Sequence, residues 1–144
     1  MILAAIDFSE VSDEVARVAA ELASPLGLGV LLVHVAAPDP DFVGFAAGPE
    51  VVREQRAKEL RVERQALGEL AERLRAAGLE ARPHLVEGPT VETLVEQAAR
   101  HGARFLVLGS HGKGALQRAL AGSVCQALAT RAPCPLVVVP ARRS

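Results

Sequence analysis

Phe105-Leu106-Val107-Leu108-Gly109-Ser110-His111-Gly112-Lys113-Gly114 is the stretch on which the fold turns. Four apolar residues give way at once to glycines and polar residues. Ten residues beyond Gly112 comes Gly122-Ser123-Val124, where a new helical pattern opens. Apolar strand, glycine loop and helix start form an arrangement suited to an anion. Glycines let the backbone approach closely, and the unpaired N–H groups of a helix start point at the charge.

Working outward, short apolar runs alternate with helical patterns. Ile2 to Ile6 has no polar alternation, which fits a parallel strand covered on both faces. Asp7-Phe8-Ser9 ends it, and Ser9 or Ser12 is a candidate cap for the next helix. Val11, Val15, Val18, Ala19 and Leu22 recur at helical spacing. Pro25 and Gly27 are the expected stop. Val30 to Val35 is a second apolar strand and carries His34. Residues 36–49 are rich in Pro, Gly and Asp and read as a mobile loop near the ligand face. A long charged helix follows from Val51 to Ala77, with Leu60, Leu67, Leu70 and Leu74 as its buried stripe and a solvated face of ion pairs. Leu79, Ala81, Pro83 and Leu85 alternate with polar residues. Pro83 assigns that strand to a sheet edge, since it cannot donate to a central ladder. Gly88-Pro89-Thr90 opens a helix that ends near Gly102. After the central stretch, a helix from Ser123 to Arg131 leads to the last strand, Leu136 to Val139. Alternation of this kind predicts an α/β fold, a parallel sheet with helices on both faces.

Composition removes several function classes. A chain of 144 residues predicts one domain that needs no staples. The net charge of −1 offers no field to recruit nucleic acid or a membrane surface. Trp and Tyr are absent, which argues against stacking of bases on aromatics. No apolar run approaches the ~20 residues of a membrane span. The N-terminus lacks a basic region and reaches Asp7 too soon for a signal peptide, so a cytoplasmic protein is expected. Cys125 and Cys134 are then expected to be free thiols, and no His or Cys cluster suggests a metal.

Two better-known phosphate loops fail on inspection. Gly109 to Gly114 has Walker A spacing, but Ala115-Leu116 stand where Lys-Ser/Thr is required. The dinucleotide fingerprint fails because position 117 is Gln. The actual spacing is Gly109, two residues, Gly112, nine residues, Gly122-Ser123. It resembles the signature of the ATP-binding branch of the universal stress protein family, at every defined position and over nearly the whole chain. The resemblance implies a Rossmann-like five-stranded sheet of order 3-2-1-4-5, with Asp7 and Gly109 at its topological switch point. It implies contacts to ATP, with or without Mg²⁺, at Asp7, Val35, Leu108, Gly109, His111, Gly112, Gly122, Ser123 and Val124. It also implies homodimers. Leu136 to Val139, apolar and uncharged at a sheet edge, would be covered by pairing with its twin.

The residues admit roles of their own. Asp7, an acceptor-only carboxylate, suits the hydroxyl donors of a ribose; the alternative is a helix cap. Backbone groups near Val35 could read an adenine edge. Ser123 can donate to a phosphate, cap its own helix, or both. His111 is open between a phosphate or ribose donor, a loop-packing residue and a base; Lys113 either reaches a terminal phosphate or points to water. His34 reads as a hydrogen-bonded structural histidine, and His84 and His101 show no chemical context. A hydrogen bond to a charged group contributes about 1.5–3 kcal/mol net. Micromolar binding needs about 8 kcal/mol, so three or four phosphate contacts need help from a base pocket. That favours a binder of adenine nucleotides with at most slow hydrolysis. No residue stands out to orient a water or serve as an arginine finger. The alternatives are a nucleotide-independent dimeric interaction module and an adenylyl-transferring or ATP-hydrolysing enzyme. Transferases of that superfold carry a His-x-Gly-His element that is absent here.

Overall fold

The computed structural model describes residues 1–36, 49–110 and 123–141. Five strands and four helices alternate along the chain. They are β1 (Ile2–Ala5), α1 (Ser12–Leu26), β2 (Val30–Ala36), α2 (Pro49–Ala76), β3 (Ala81–Glu87), α3 (Thr90–Arg100), β4 (Phe105–Gly109), α4 (Ser123–Arg131) and β5 (Leu136–Val139). The sheet order is β3-β2-β1-β4-β5 and every pairing is parallel. Fold class and strand order are those expected from the sequence.

Side-chain alternation along each strand builds two cores. On one face Ile2, Ala4, Ile6, Val30, Leu32 and Val107 meet α1 and α2, through Val15, Ala19, Leu67 and Leu70. On the other, Leu3, Leu31, Val33, Leu106 and Leu108 meet α3 and α4, through Leu94, Ala98, Cys125 and Leu128. Both faces are covered, which is why β1 and β2 read as unbroken apolar runs. Each fully buried Leu or Ile side chain contributes about 1.5–3 kcal/mol relative to exposure. The stripe of α2 is buried at Leu67, Leu70 and Leu74, while Leu60 is only half-buried.

The ends of α1 depart from expectation. Its N-cap is Val11, with no side-chain capping bond, and Ser12 is already helical, so neither Ser9 nor Ser12 is the cap. The Ser12 hydroxyl donates instead to Asp7 Oδ1 at 3.1 Å. Pro25 does not stop the helix but lies inside its last turn. Close to the terminus, a missing N–H costs a single ladder bond. The stop is Gly27, at φ 64°, in the left-handed conformation that glycine adopts without strain. Its N–H donates to Ser24 O and that of Leu28 to Ala23 O. β3 forms a sheet edge, with Pro83 opposite Leu32. Ala36 ends β2 and Pro49 begins α2, so the segment expected to be a loop is bounded by them. Its interior, with Phe42 and Phe45, lies outside the described residues.

Candidate functional site

Strand β1 lies between β2 and β4, and the chain leaves β1 and β4 toward opposite faces of the sheet. Open α/β sheets take ligands at the carboxyl ends of such strands. The rim here is built by Asp7 after β1, Val35 and Ala36 on β2, and Gly109 and Ser110 on β4. Carried two residues on, the Ala5–Val33 register brings Asp7 level with Val35.

Beyond β1, the ladder continues with Ile6 N–H donating to Val33 O at 2.8 Å. The chain then turns sharply. Phe8 has φ 60°, a region that bulky side chains rarely occupy. Asp7 Oδ1 accepts from the Ser9 N–H at 3.0 Å and from the Ser12 hydroxyl. The carboxylate therefore holds the turn that leads into α1. Four lone-pair positions make that compatible with accepting from a ligand as well.

At the end of β4, Gly109 lies opposite Val139, and the Ser110 N–H donates to Val139 O at 2.8 Å. Leu108 is buried, with its side chain in the α3–α4 core, so what it offers to a ligand is main chain. Val35 and Val124 both pack half-buried against that same core. Ser123, exposed, is the first residue of α4. The first N–H groups of this helix are the ones without intrahelical partners. Of the nine expected site residues, Asp7, Val35, Leu108, Gly109, Ser123 and Val124 are therefore described. His111, Gly112 and Gly122 lie outside the described residues, as does Lys113.

Two groups beside Asp7 do not read as site residues from the sequence, where Ser12 stands only as a candidate cap. Ser12 shares Asp7, signalled only by its five-residue spacing. Phe8 packs on the His34 ring at 4.6 Å between centroids, tilted 49°. The reading of His34 as a hydrogen-bonded histidine holds, and its partner is the Ile6 carbonyl, 2.7 Å from Nδ1. His84 and His101 do acquire a context. His84 Nε2 lies 3.0 Å from Gln97 Oε1, and the two imidazoles sit edge to face at 5.8 Å. Burial, reinforced by His84, Arg82 and Arg100, holds His101 below its ordinary value. Burial also pushes the Cys125 and Cys134 thiols up; both are free. Among the described residues, no three His, Cys, Asp or Glu side chains gather as metal ligands. Nor is any helix among them long and apolar enough to cross a membrane. A cavity of about 270 Å³ at the start of α1 is lined by Glu10, Asp13 and Glu14 together with Val11, Pro140 and Ala141. Its acidic lining carries the wrong sign for phosphates.

The family model described as universal stress protein family matches residues 1–140. A universal stress protein of Thermus aquaticus, named for the QAH/OAS sulfhydrylase 3′ region, is 32% identical over 140 residues, covering 96% of each chain. The solved structure of UspA from Lactobacillus plantarum superposes with a TM-score of 0.83 at 20% identity, over 96% of this chain and 95% of that one. A universal stress protein in complex with cAMP gives 0.68 at 23% identity, over 96% and 94%. One from Archaeoglobus fulgidus in complex with dAMP gives 0.63 at 24%, over 95% and 94%.

Proposed function

The chain belongs to the universal stress protein family, and from that premise we propose that it is a receptor for adenine nucleotides, ATP foremost. What supports the reading is that a carboxylate, Asp7, and a glycine, Gly109, stand at the carboxyl ends of the neighbouring strands β1 and β4, and that Ser123 opens the helix that follows β4. Asp7 would accept from the ribose hydroxyls. Main chain beside Val35 would face the adenine. Gly109, Gly112, Gly122, Ser123 and Val124 would present N–H groups to the phosphates, with His111 as a further donor. Mg²⁺, where present, would ride on the phosphates. That fold neighbours were solved with cAMP and dAMP supports an adenine nucleotide as the ligand class. The protein acts as a binder with at most slow turnover, in the cytoplasm, as a homodimer paired through β5.

Calorimetric titration with ATP, ADP, GTP and tripolyphosphate tests this. ATP and ADP should bind near micromolar strength, about 8 kcal/mol, with GTP and tripolyphosphate much weaker. Gly122→Leu should abolish the heat while leaving the circular dichroism spectrum intact. No heat with any adenine nucleotide would favour a nucleotide-independent interaction module. Rapid release of phosphate or pyrophosphate would favour an enzyme.

A further inference from the structure

The turn that presents Asp7 is strained at Phe8, with φ 60°. A non-glycine residue held there persists only where its surroundings over-determine it. Beside the Asp7 bonds within the turn, one side chain grips it from outside. His34 is buried on β2, 7% exposed, on the face toward α1 and α2. Its Nδ1 lies 2.7 Å from the carbonyl of Ile6, the residue before Asp7. A carbonyl only accepts, so Nδ1 is the donor in this bond. The Phe8 ring, just after Asp7, rests on the imidazole at 4.6 Å. On the far side, Nε2 stands 3.2 Å from Glu63 Oε2 of α2. Neither of those two atoms has an aligned hydrogen bond, so the Ile6 bond is the defined grip. The imidazole thus clamps the chain immediately before and immediately after the carboxylate.

We propose that His34 is a positioning residue for the ligand carboxylate: it acts on Asp7 through Ile6 and Phe8 and does not itself touch the nucleotide. The proposal rests on the nucleotide reading above and specifies which part of the ligand feels the change. If His34 aims Asp7, its loss weakens recognition of the ribose hydroxyls and leaves phosphate and base contacts in place.

The test is calorimetry on the full chain with ATP and with 2′,3′-dideoxy-ATP, which lacks both hydroxyls. In His34→Leu the affinity for ATP should fall at least about tenfold, the change expected when one hydrogen bond to a charged group is lost. The affinity for the dideoxy nucleotide should move by less than about twofold, since its bound state never used that bond. His34→Asn places an amide N–H where Nδ1 was and should restore ATP binding to within about threefold. His34→Gln reaches the Nε2 position instead and should show the same selective loss as Leu, so the test stands even if the Leu variant does not fold. Equal weakening for both nucleotides, unchanged ATP binding in both the Leu and Gln variants, or no recovery with Asn would overturn the proposal. A wild-type chain that binds no ATP would overturn it together with the nucleotide reading, and is told apart by the unmutated protein alone.

Discussion

His101 shows how burial at one residue reaches the whole molecule. It ends α3, with its N–H donating to Gln97 O. Burial first, then His84, Arg82 and Arg100, disfavours its charged form and holds it below the ordinary 6.5. The unfolded chain then binds a proton that the native state resists. Stability from this source is complete above the unfolded value and falls as pH drops through the lowered native one. Urea midpoints at about pH 7.5 and about pH 5.5 should therefore lie closer together in His101→Gln than in the wild type. Parallel shifts in the two proteins would assign the pH dependence to other groups. Neither His84 nor His101 carried a chemical signal in the sequence, because 17 positions separate them and β3 and the end of α3 bring them together.

Among the elements, the strands were the most legible. β1, β2 and β4 are apolar runs because helices cover both faces, and β3 announced its edge position through Pro83. Helix ends were less so. Ser9 and Ser12 have the chemistry of caps, yet Asp7 takes the Ser9 backbone N–H and the Ser12 hydroxyl, and the chain enters α1 at Val11 without a side-chain cap. Local preference cannot weigh a carboxylate held in place by a neighbouring strand. The clamp on Phe8 was hidden for the same reason. His34 lies 28 positions from Ile6 and 29 from Glu63, and only the packed sheet and α2 bring them together. Helix α4, nine residues long, is held to the sheet by Cys125 and Leu128. Leu128 is fully buried, so Leu128→Ala should cost about 2–5 kcal/mol in chemical denaturation. Leu60→Ala, at a half-buried position of α2, should cost clearly less. Similar losses at the two sites would mean that the second core contributes less than its burial implies.

For the whole molecule, the sheet order decides both the ligand edge and the partner edge. Periodicity alone gives alternation; the order 3-2-1-4-5 came with the glycine spacing and the family resemblance it carries. That order leaves β5 at an edge, where Val138 is 41% exposed and Leu136 and Val137 are half-buried. An apolar edge of this kind is an association hazard unless covered. If a second copy covers it, the wild type should sediment as a dimer at micromolar concentration and Val138→Lys as a monomer with an unchanged circular dichroism spectrum. A monomeric wild type would remove β5 as the interface. At the opposite side of the same logic, β1 and β4 meet at the centre of the sheet, and their carboxyl ends hold the rim described above. Amide chemical shifts during titration with ATP test that placement most directly. The account predicts saturable shifts at Asp7, Val35, Gly109, Ser123 and Val124, while Arg82 and Glu80 at the opposite end of the sheet stay fixed. Shifts centred on α2 or β3 instead, or no shifts at millimolar ATP, would contradict it.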